Sequence, residues 1–321
     1  MEKSTIEVEY RSGRSVPMFL LQKFLRPIKS QLLKAGKTVE EESPEIKIPD
    51  RARKRCHVAQ RRVDGILIYD FTPRAPKPSE HSDKQKRVLY LAGGGWQLPA
   101  SSQHVFLCAD LVEQMPNTTL SLISYPLAPN YPAAKSLPRL EEILLQLYED
   151  AAQADETVAL VGDSAGGNIV LALPLYMLSK DTNAPLPKAI MALSPSTDLR
   201  RQNPMMPAVG KHDPLLTIPF IKMTAEKWRG QLDAFDPRVS PLAADLQPLA
   251  DRDVHVHGIT GTYDVLCPDA TSFRNRLAEA GVKGKWLEWD KQMHVWVLTE
   301  RYGLREAREG LEWIAHILNE I

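Results

Sequence analysis

Residues 162–166 read Gly-Asp-Ser-Ala-Gly, directly after an apolar stretch at 157–161 and directly before a helical run at 168–173. Strand, tight turn and helix in that order constrain the fold more than any other segment. A serine at such a turn sits in a strained backbone, and only small neighbours, here Gly162, Ala165, Gly166 and Gly167, leave room for it. The turn exposes Ser164 at the carboxyl end of a sheet, where open α/β folds bind ligands. The start of the helix adds a positive dipole and free N–H groups. A phosphate-binding glycine loop is the competing reading, but the run lacks the lysine of a P-loop and the G-x-G-x-x-G spacing.

A second loop supports the same chemistry. Leu91-Ala92-Gly93-Gly94-Gly95-Trp96 stands where a strand at 87–91 ends. Three successive glycines carry an entropic cost and are kept where backbone approaches something closely. The N–H groups of Gly94 and Gly95, with that of Ala165, make a donor set for an oxyanion. Trp96 and Asp163, which flank the two loops, are expected to border the substrate.

A serine nucleophile needs a base, and the base an orienting acid. After Ser164 the histidines are His212, His255, His257, His294 and His316. His212 falls in an irregular stretch, His255 and His257 alternate within a strand, and His316 sits in the last helix. His294 lies in a loop after a strand at 285–289, which suits a base. Among the acids, Asp264 lies just past a strand at 253–259, with Asp269 and Asp290 as competitors.

Strand and helix patterns alternate along the rest of the chain. Strands are expected at 57–62, 65–71, 87–91, 119–124, 157–161, 189–193, 253–259 and 285–289. Helices are expected at 137–150, from 164, at 271–280 and at the end, where Leu304, Leu311, Ile314, Ala315 and Leu318 share a face. Pro73, Pro76 and Pro78 mark a loop. This is an α/β pattern: a mostly parallel central sheet with helices on both faces. Residues 200–235 break the rhythm with four prolines, Met205-Met206 and a helical run at 219–229. They read as a cap inserted over a pocket, with Met205 and Met206 lining it. The expected division is an N-terminal helical segment, 1–55, that joins the cap, and a main domain over 56–321.

Composition narrows the partners. Charged residues make up 25% with a net charge of zero, which gives no electrostatic footprint for nucleic acid. Cys56, Cys108 and Cys267 are far apart and read as small buried hydrophobes rather than a disulfide framework or metal site. No metal or organic cofactor is implied. The longest early apolar run, at 16–21, is too short for a signal-peptide core, and no run reaches a membrane span, so the expectation is a soluble, cytoplasmic protein. Residues 1–62 hold fifteen Lys/Arg against eight Asp/Glu. Within them Phe19, Leu20, Phe24, Ile28, Leu32 and Leu33 recur at helical spacing between Lys23, Arg26, Lys29 and Lys34. A helix packed on the domain is the favoured reading, and peripheral membrane contact the alternative.

Taken together these motifs resemble the hormone-sensitive-lipase-like branch of the α/β-hydrolases. Within it the chain looks similar to fungal steryl-acetate hydrolases and acetyl esterases of secondary metabolism. Gly162 to Gly167 match that branch's nucleophile motif. Tyr125-Pro126-Leu127-Ala128-Pro129, Ser194-Pro195 with Asp198, and Ser240-Pro241-Leu242 resemble further landmarks. Asp264-Val265-Leu266 with Asp269 looks like the acid segment, which favours Asp264. One position departs: Ala92 stands where the family writes the histidine of His-Gly-Gly-Gly, which bears on the rigidity of the loop and on substrate preference. The resemblance implies an α/β-hydrolase fold with a helical cap. It also implies hydrolysis, by Ser164, His294 and Asp264, of a small-acyl ester, while Met205, Met206, Leu215, Leu216, Phe220, Ile221 and Trp96 point to a hydrophobic alcohol. Acyl transfer on the same residues and a non-catalytic small-molecule receptor are the alternatives.

Overall fold

The structure, a computed structural model, describes residues 4–32, 38–74 and 84–321. Leu33, Lys34, Pro76 and Pro78 lie outside the described residues. The chain begins with β1 (Ile6–Arg11), α1 (Val16–Leu32), α2 (Asp50–Arg55), β2 (Cys56–Val63), β3 (Ile66–Pro73) and β4 (Lys86–Leu91). Next come α3 (Ser102–Gln114), β5 (Thr118–Ile123), α4 (Ala133–Gln153), β6 (Thr157–Asp163), α5 (Ser164–Lys180) and β7 (Ala189–Leu193). The last part holds α6 (Met206–Gly210), α7 (Ile218–Arg229), α8 (Gln247–Asp251), β8 (His255–Gly261), α9 (Cys267–Glu279), β9 (Gly284–Trp289) and α10 (Arg305–Asn319).

The sheet order is β1-β9-β8-β7-β6-β4-β5-β3-β2. β2 and β3 are antiparallel, as are β3 and β5, and every other pairing is parallel. Central strands are continuous apolar runs because helices cover both faces. In β4, Leu89 and Leu91 join one core with α4, α5 and α9, while Val88 and Tyr90 join the other with α3 and α10. In α4 the buried Leu137, Leu140, Leu144, Leu147 and Ala151 form one stripe at helical spacing. The α10 face expected from sequence is buried in full.

The N-terminal segment differs from the expected helical one. β1 adds a parallel edge strand to β9, with Ile6 opposite Gly284. Its alternation Ile6-Glu7-Val8-Glu9 is a period-two pattern that turns Ile6 and Val8 inward and leaves Glu7 and Glu9 exposed, and it supplies partners for the open edge of β9. α1 follows and docks through Met18 and Gln22, while Val16, Leu20 and Phe24 stay exposed. Gln22 donates to the Lys291 carbonyl at 2.8 Å, and Ser15 donates its hydroxyl to Glu306 at 2.9 Å. No described helix is long and apolar enough to cross a membrane. The three cysteines are free and buried.

The helix after the tight turn must cross β4 at very short range. A Cβ at Gly166 would overlap the Leu91 carbonyl, and one at Gly162 would overlap the Gly166 carbonyl. Backbone cannot retreat here without breaking the β4–β6 ladder. Gly166→Ala is therefore expected to destabilise the fold by at least about 3 kcal/mol, the upper end of ordinary overpacking. Urea denaturation checks this; a loss below about 1 kcal/mol contradicts it.

Candidate active site

Four strand ends converge on one point. Ser164 follows β6 with φ of +53°, a left-handed conformation rare for a non-glycine residue. Asp264 follows β8, His294 follows β9, and the glycine loop follows β4. Asp264 is fully buried and His294 is 7% exposed. His294 Nδ1 lies 2.8 Å from Asp264 Oδ2, and His294 Nε2 lies 2.8 Å from Ser164 Oγ. A carboxylate offers only acceptors, so Nδ1 carries the proton and the Nε2 lone pair faces the serine hydroxyl. Asp264 Oδ1 also accepts the Leu266 N–H at 2.9 Å, which locks the carboxylate plane. Val295, with φ of +44°, donates its N–H to Ser194 Oγ at 3.1 Å and fixes the turn that presents the imidazole.

The other acids and histidines lie elsewhere. Asp269 is buried in the first turn of α9, and Asp290 accepts from Thr262 Oγ1 at 2.9 Å. His257 Nδ1 accepts the Lys285 N–H at 3.0 Å, and His316 pairs with Glu320 at 3.3 Å. His212 stacks on Tyr263 with centroids 5.1 Å apart.

The glycine loop closes the site. Gly94 has φ of +140° and Gly95 of +60°, and the Gly94 carbonyl accepts from Gln97 and Leu98 at 3.1 Å each. Among the described residues the N–H groups of Gly94 and Gly95 meet no acceptor, and both glycines line the cavity that holds Ser164. A Cβ at Gly93 would come 3.0 Å from the Ser164 Cβ, so only glycine lets the loop lie this near. The Ala92 carbonyl accepts the Tyr125 hydroxyl at 2.7 Å, and the Gly93 N–H donates to Asp163 Oδ1 at 2.9 Å. The loop is thus anchored at the position where the family histidine is missing.

Asp163 lines the cavity and also anchors the glycine loop. Its oxygens accept the Tyr90 hydroxyl at 2.8 Å, the Gly93 N–H and, at 3.2 Å, His104 Nε2. Burial opposes its charge, yet His104, Gly93 and Tyr90 hold the carboxyl below its ordinary range. These contacts tie the loop to the Ser164 turn. Met205 and Met206 are displaced from the expected lining. Met205 is 57% exposed, and Met206 is buried among Leu216, Ile221, Val265 and Leu266. Trp96 does line the cavity, stacked on Trp228 at 5.6 Å.

The cavity measures about 670 Å³. Its wall takes Leu215, Leu216 and Ile221 from the 200–235 stretch and Leu21, Phe24 and Ile28 from α1. Asp213 ties these parts together. It is fully buried; Oδ1 accepts the Leu215 and Leu216 N–H groups and Oδ2 that of Val265, each at 2.8 Å. Lys29 of α1 donates to the Asp213 carbonyl at 3.0 Å. Burial, then the neighbouring Asp264 charge, push the Asp213 carboxyl up to about 6. Its signal was local: Asp-Pro-Leu-Leu-Thr at 213–217 is a turn-and-cap pattern. Among the described residues no group of three or more His, Cys, Asp or Glu side chains is placed to hold a metal ion.

Known proteins are similar to this chain in sequence and fold. Residues 88–298 match the model of a family described as alpha/beta hydrolase fold. An esterase of Acinetobacter venetianus is 28% identical over 230 residues, 69% of this chain and 73% of that protein. An acetyl-hydrolase of Streptomyces hygroscopicus is 28% identical over 233 residues, 73% of this chain and 75% of that one. A crystal structure of a hormone-sensitive lipase from a metagenome library superposes with a TM-score of 0.74. Its identity is 24%, over 93% of this chain and 97% of that one.

The electrostatics set a pH dependence. Burial depresses the His294 imidazole, but the Asp264 carboxylate on Nδ1 overrides it, aided by the Asp213 and Asp163 charges, and the net shift is upward. A base works only when neutral, so kcat/KM is expected to fall on acidification with a midpoint above the ordinary histidine value of about 6.5. Asp213→Asn removes one of the three negative charges and should move that midpoint to lower pH. Rate profiles of both proteins from about pH 5 to about pH 9 decide it. A wild-type midpoint below 6, or no displacement in the variant, contradicts the assignment of charges.

Proposed function

The chain belongs to the alpha/beta-hydrolase family, and from that premise we propose that it is a serine carboxylesterase acting through an acyl-enzyme. Its substrates would be acetyl to butyryl esters of a hydrophobic alcohol. The observation that carries the reading is the unbroken hydrogen-bonded row Ser164–His294–Asp264 in the wall of a largely apolar cavity. Ser164 Oγ attacks the ester carbonyl while His294 Nε2 takes its proton. Asp264 keeps the imidazole in the tautomer that can accept and stabilises the cation that forms. The Gly94, Gly95 and Ala165 N–H groups receive the negative charge that develops on the carbonyl oxygen. The imidazolium then protonates the leaving alcohol, and water activated by His294 releases the acid.

The apolar wall supports a hydrophobic alcohol, since pockets of this kind orient ligands with few polar groups. The named activity of the Streptomyces hygroscopicus relative, an acetyl-hydrolase, supports a small acyl group.

A fluorophosphonate probe is expected to label the protein once, on Ser164, and Ser164→Ala should lose both labelling and esterase turnover. Labelling mapped to another serine by mass spectrometry would reject the nucleophile. On p-nitrophenyl acetate, butyrate and palmitate, each below its aggregation limit, kcat/KM should be highest for the first two. A palmitate value above butyrate rejects the small acyl group.

A further inference from the structure

Among the described residues one Lys or Arg side chain, Arg201, lines the cavity, and it has no role in the mechanism above. Arg201 is 5% exposed, stands at φ of +54°, and belongs to the same wall as Ser164 and Ser196. Its Nη1 donates to the Asp198 carbonyl at 2.8 Å and its Nη2 to Ser196 Oγ at 2.7 Å. The Nε–H is buried and meets no acceptor. The Asp198 carboxylate is taken by Arg200 at 2.7 Å. Among the described residues no carboxylate oxygen comes within 4.0 Å of the Arg201 guanidinium. Burial lowers its pKa to about 10, which still leaves a cation at neutral pH.

A desolvated cation with an unmet donor is costly unless something in the site compensates it. Ser196 relays its position to the reaction centre, because the Ser196 N–H donates to the Ser164 carbonyl at 3.2 Å. The guanidinium is thus one side chain removed from the nucleophile. We propose that Arg201, with Ser196, forms a subsite for an oxygen acceptor of the substrate, so that the natural ester carries a second carbonyl or carboxylate oxygen a few atoms from the scissile bond. The proposal rests on the esterase reading and sharpens its substrate class. A planar fork of N–H donors suits either oxygen chemistry. The competing role is structural: Asp269 Oδ2 is also buried without a partner, and the two charges could serve only to stabilise each other.

Two sets of isosteric esters separate these roles. On the acyl side they are monomethyl succinate, methyl levulinate and methyl 4-methylpentanoate, which carry a carboxylate, a ketone and a branched hydrocarbon in the same shape. On the alcohol side they are the acetate esters of 3-hydroxypropanoate, 4-hydroxybutan-2-one and 3-methylbutanol. In at least one set, wild-type kcat/KM should favour an oxygenated ester over the hydrocarbon by at least about tenfold. The preferred member distinguishes carboxylate from neutral carbonyl. Arg201→Met should abolish that ratio while turning over the hydrocarbon ester within about threefold of wild type. Arg201→Lys, which keeps the charge without the fork, should retain part of any carboxylate preference and serves if the Met variant does not fold.

A hydrocarbon preference in both sets overturns the proposal, as does a ratio that survives in Arg201→Met. So does an equal loss on all esters in a folded variant that the fluorophosphonate still labels, the outcome of a purely structural arginine. Turnover of none of the six by the wild type rejects the esterase reading itself, a result distinct from an inverted ratio.

Discussion

The buried Asp163 carboxylate is the fixed point around which the candidate site is assembled. Asp163 is the last residue of β6, next to the strained Ser164, and its two oxygens gather groups from three other places: Tyr90 on β4, Gly93 in the glycine loop and His104 on α3. His104 Nδ1 accepts the Ser101 N–H at 3.0 Å, so its Nε2–H is free to donate to the carboxylate. One charge thereby holds the Ser164 turn and the glycine loop in register. Such an anchor matters because N–H donors stabilise a developing oxyanion only when they are already in place. A buried carboxylate without partners would be costly, and here every partner is part of the machinery it positions.

A second set of contacts joins the cavity wall to Asp264. Asp213 holds the backbone of two cavity leucines with one oxygen and that of Val265, the neighbour of Asp264, with the other. His212 stacks on Tyr263, on the other side of Asp264, and its carbonyl accepts from Arg26 of α1 at 2.9 Å. α1, the 200–235 stretch and the acid loop are therefore one mechanical unit. Whatever presses on Leu215 and Leu216 presses on the loop that orients His294.

What could be read from sequence was the part governed by local patterns. β7 falls on residues 189–193 as expected, because five apolar residues in a row between polar flanks fit a strand buried on both faces. The Ser, Asp, His order and the positions just past β6, β8 and β9 were also legible, since each lies at a change of period. β1 was missed because a six-residue strand acquires its meaning from a partner more than 270 residues away. Met205 and Met206 were misplaced for a related reason: hydrophobicity marks burial but not what a residue is buried against. Arg201 and Asp213 stood in a polar, proline-rich stretch where charges read as solvent-facing. Only the fold turns them inward.

The alanine at 92 shows how such a site tolerates a departure from its family pattern. A histidine in the loop is one way to stiffen the backbone ahead of the glycines. Here Ala92 is 2% exposed, and its carbonyl is held from behind by Tyr125, whose burial also pushes its hydroxyl far above the ordinary tyrosine range. Tyr125 is therefore a neutral donor near neutral pH, and its grip on the loop does not titrate there. A histidine in that position would bring a charge that changes near neutrality, beside a carboxylate and a base whose balance sets the reaction. With alanine the loop depends on a neutral phenol and on Asp163, which His104, Gly93 and Tyr90 keep ionised against the cost of burial.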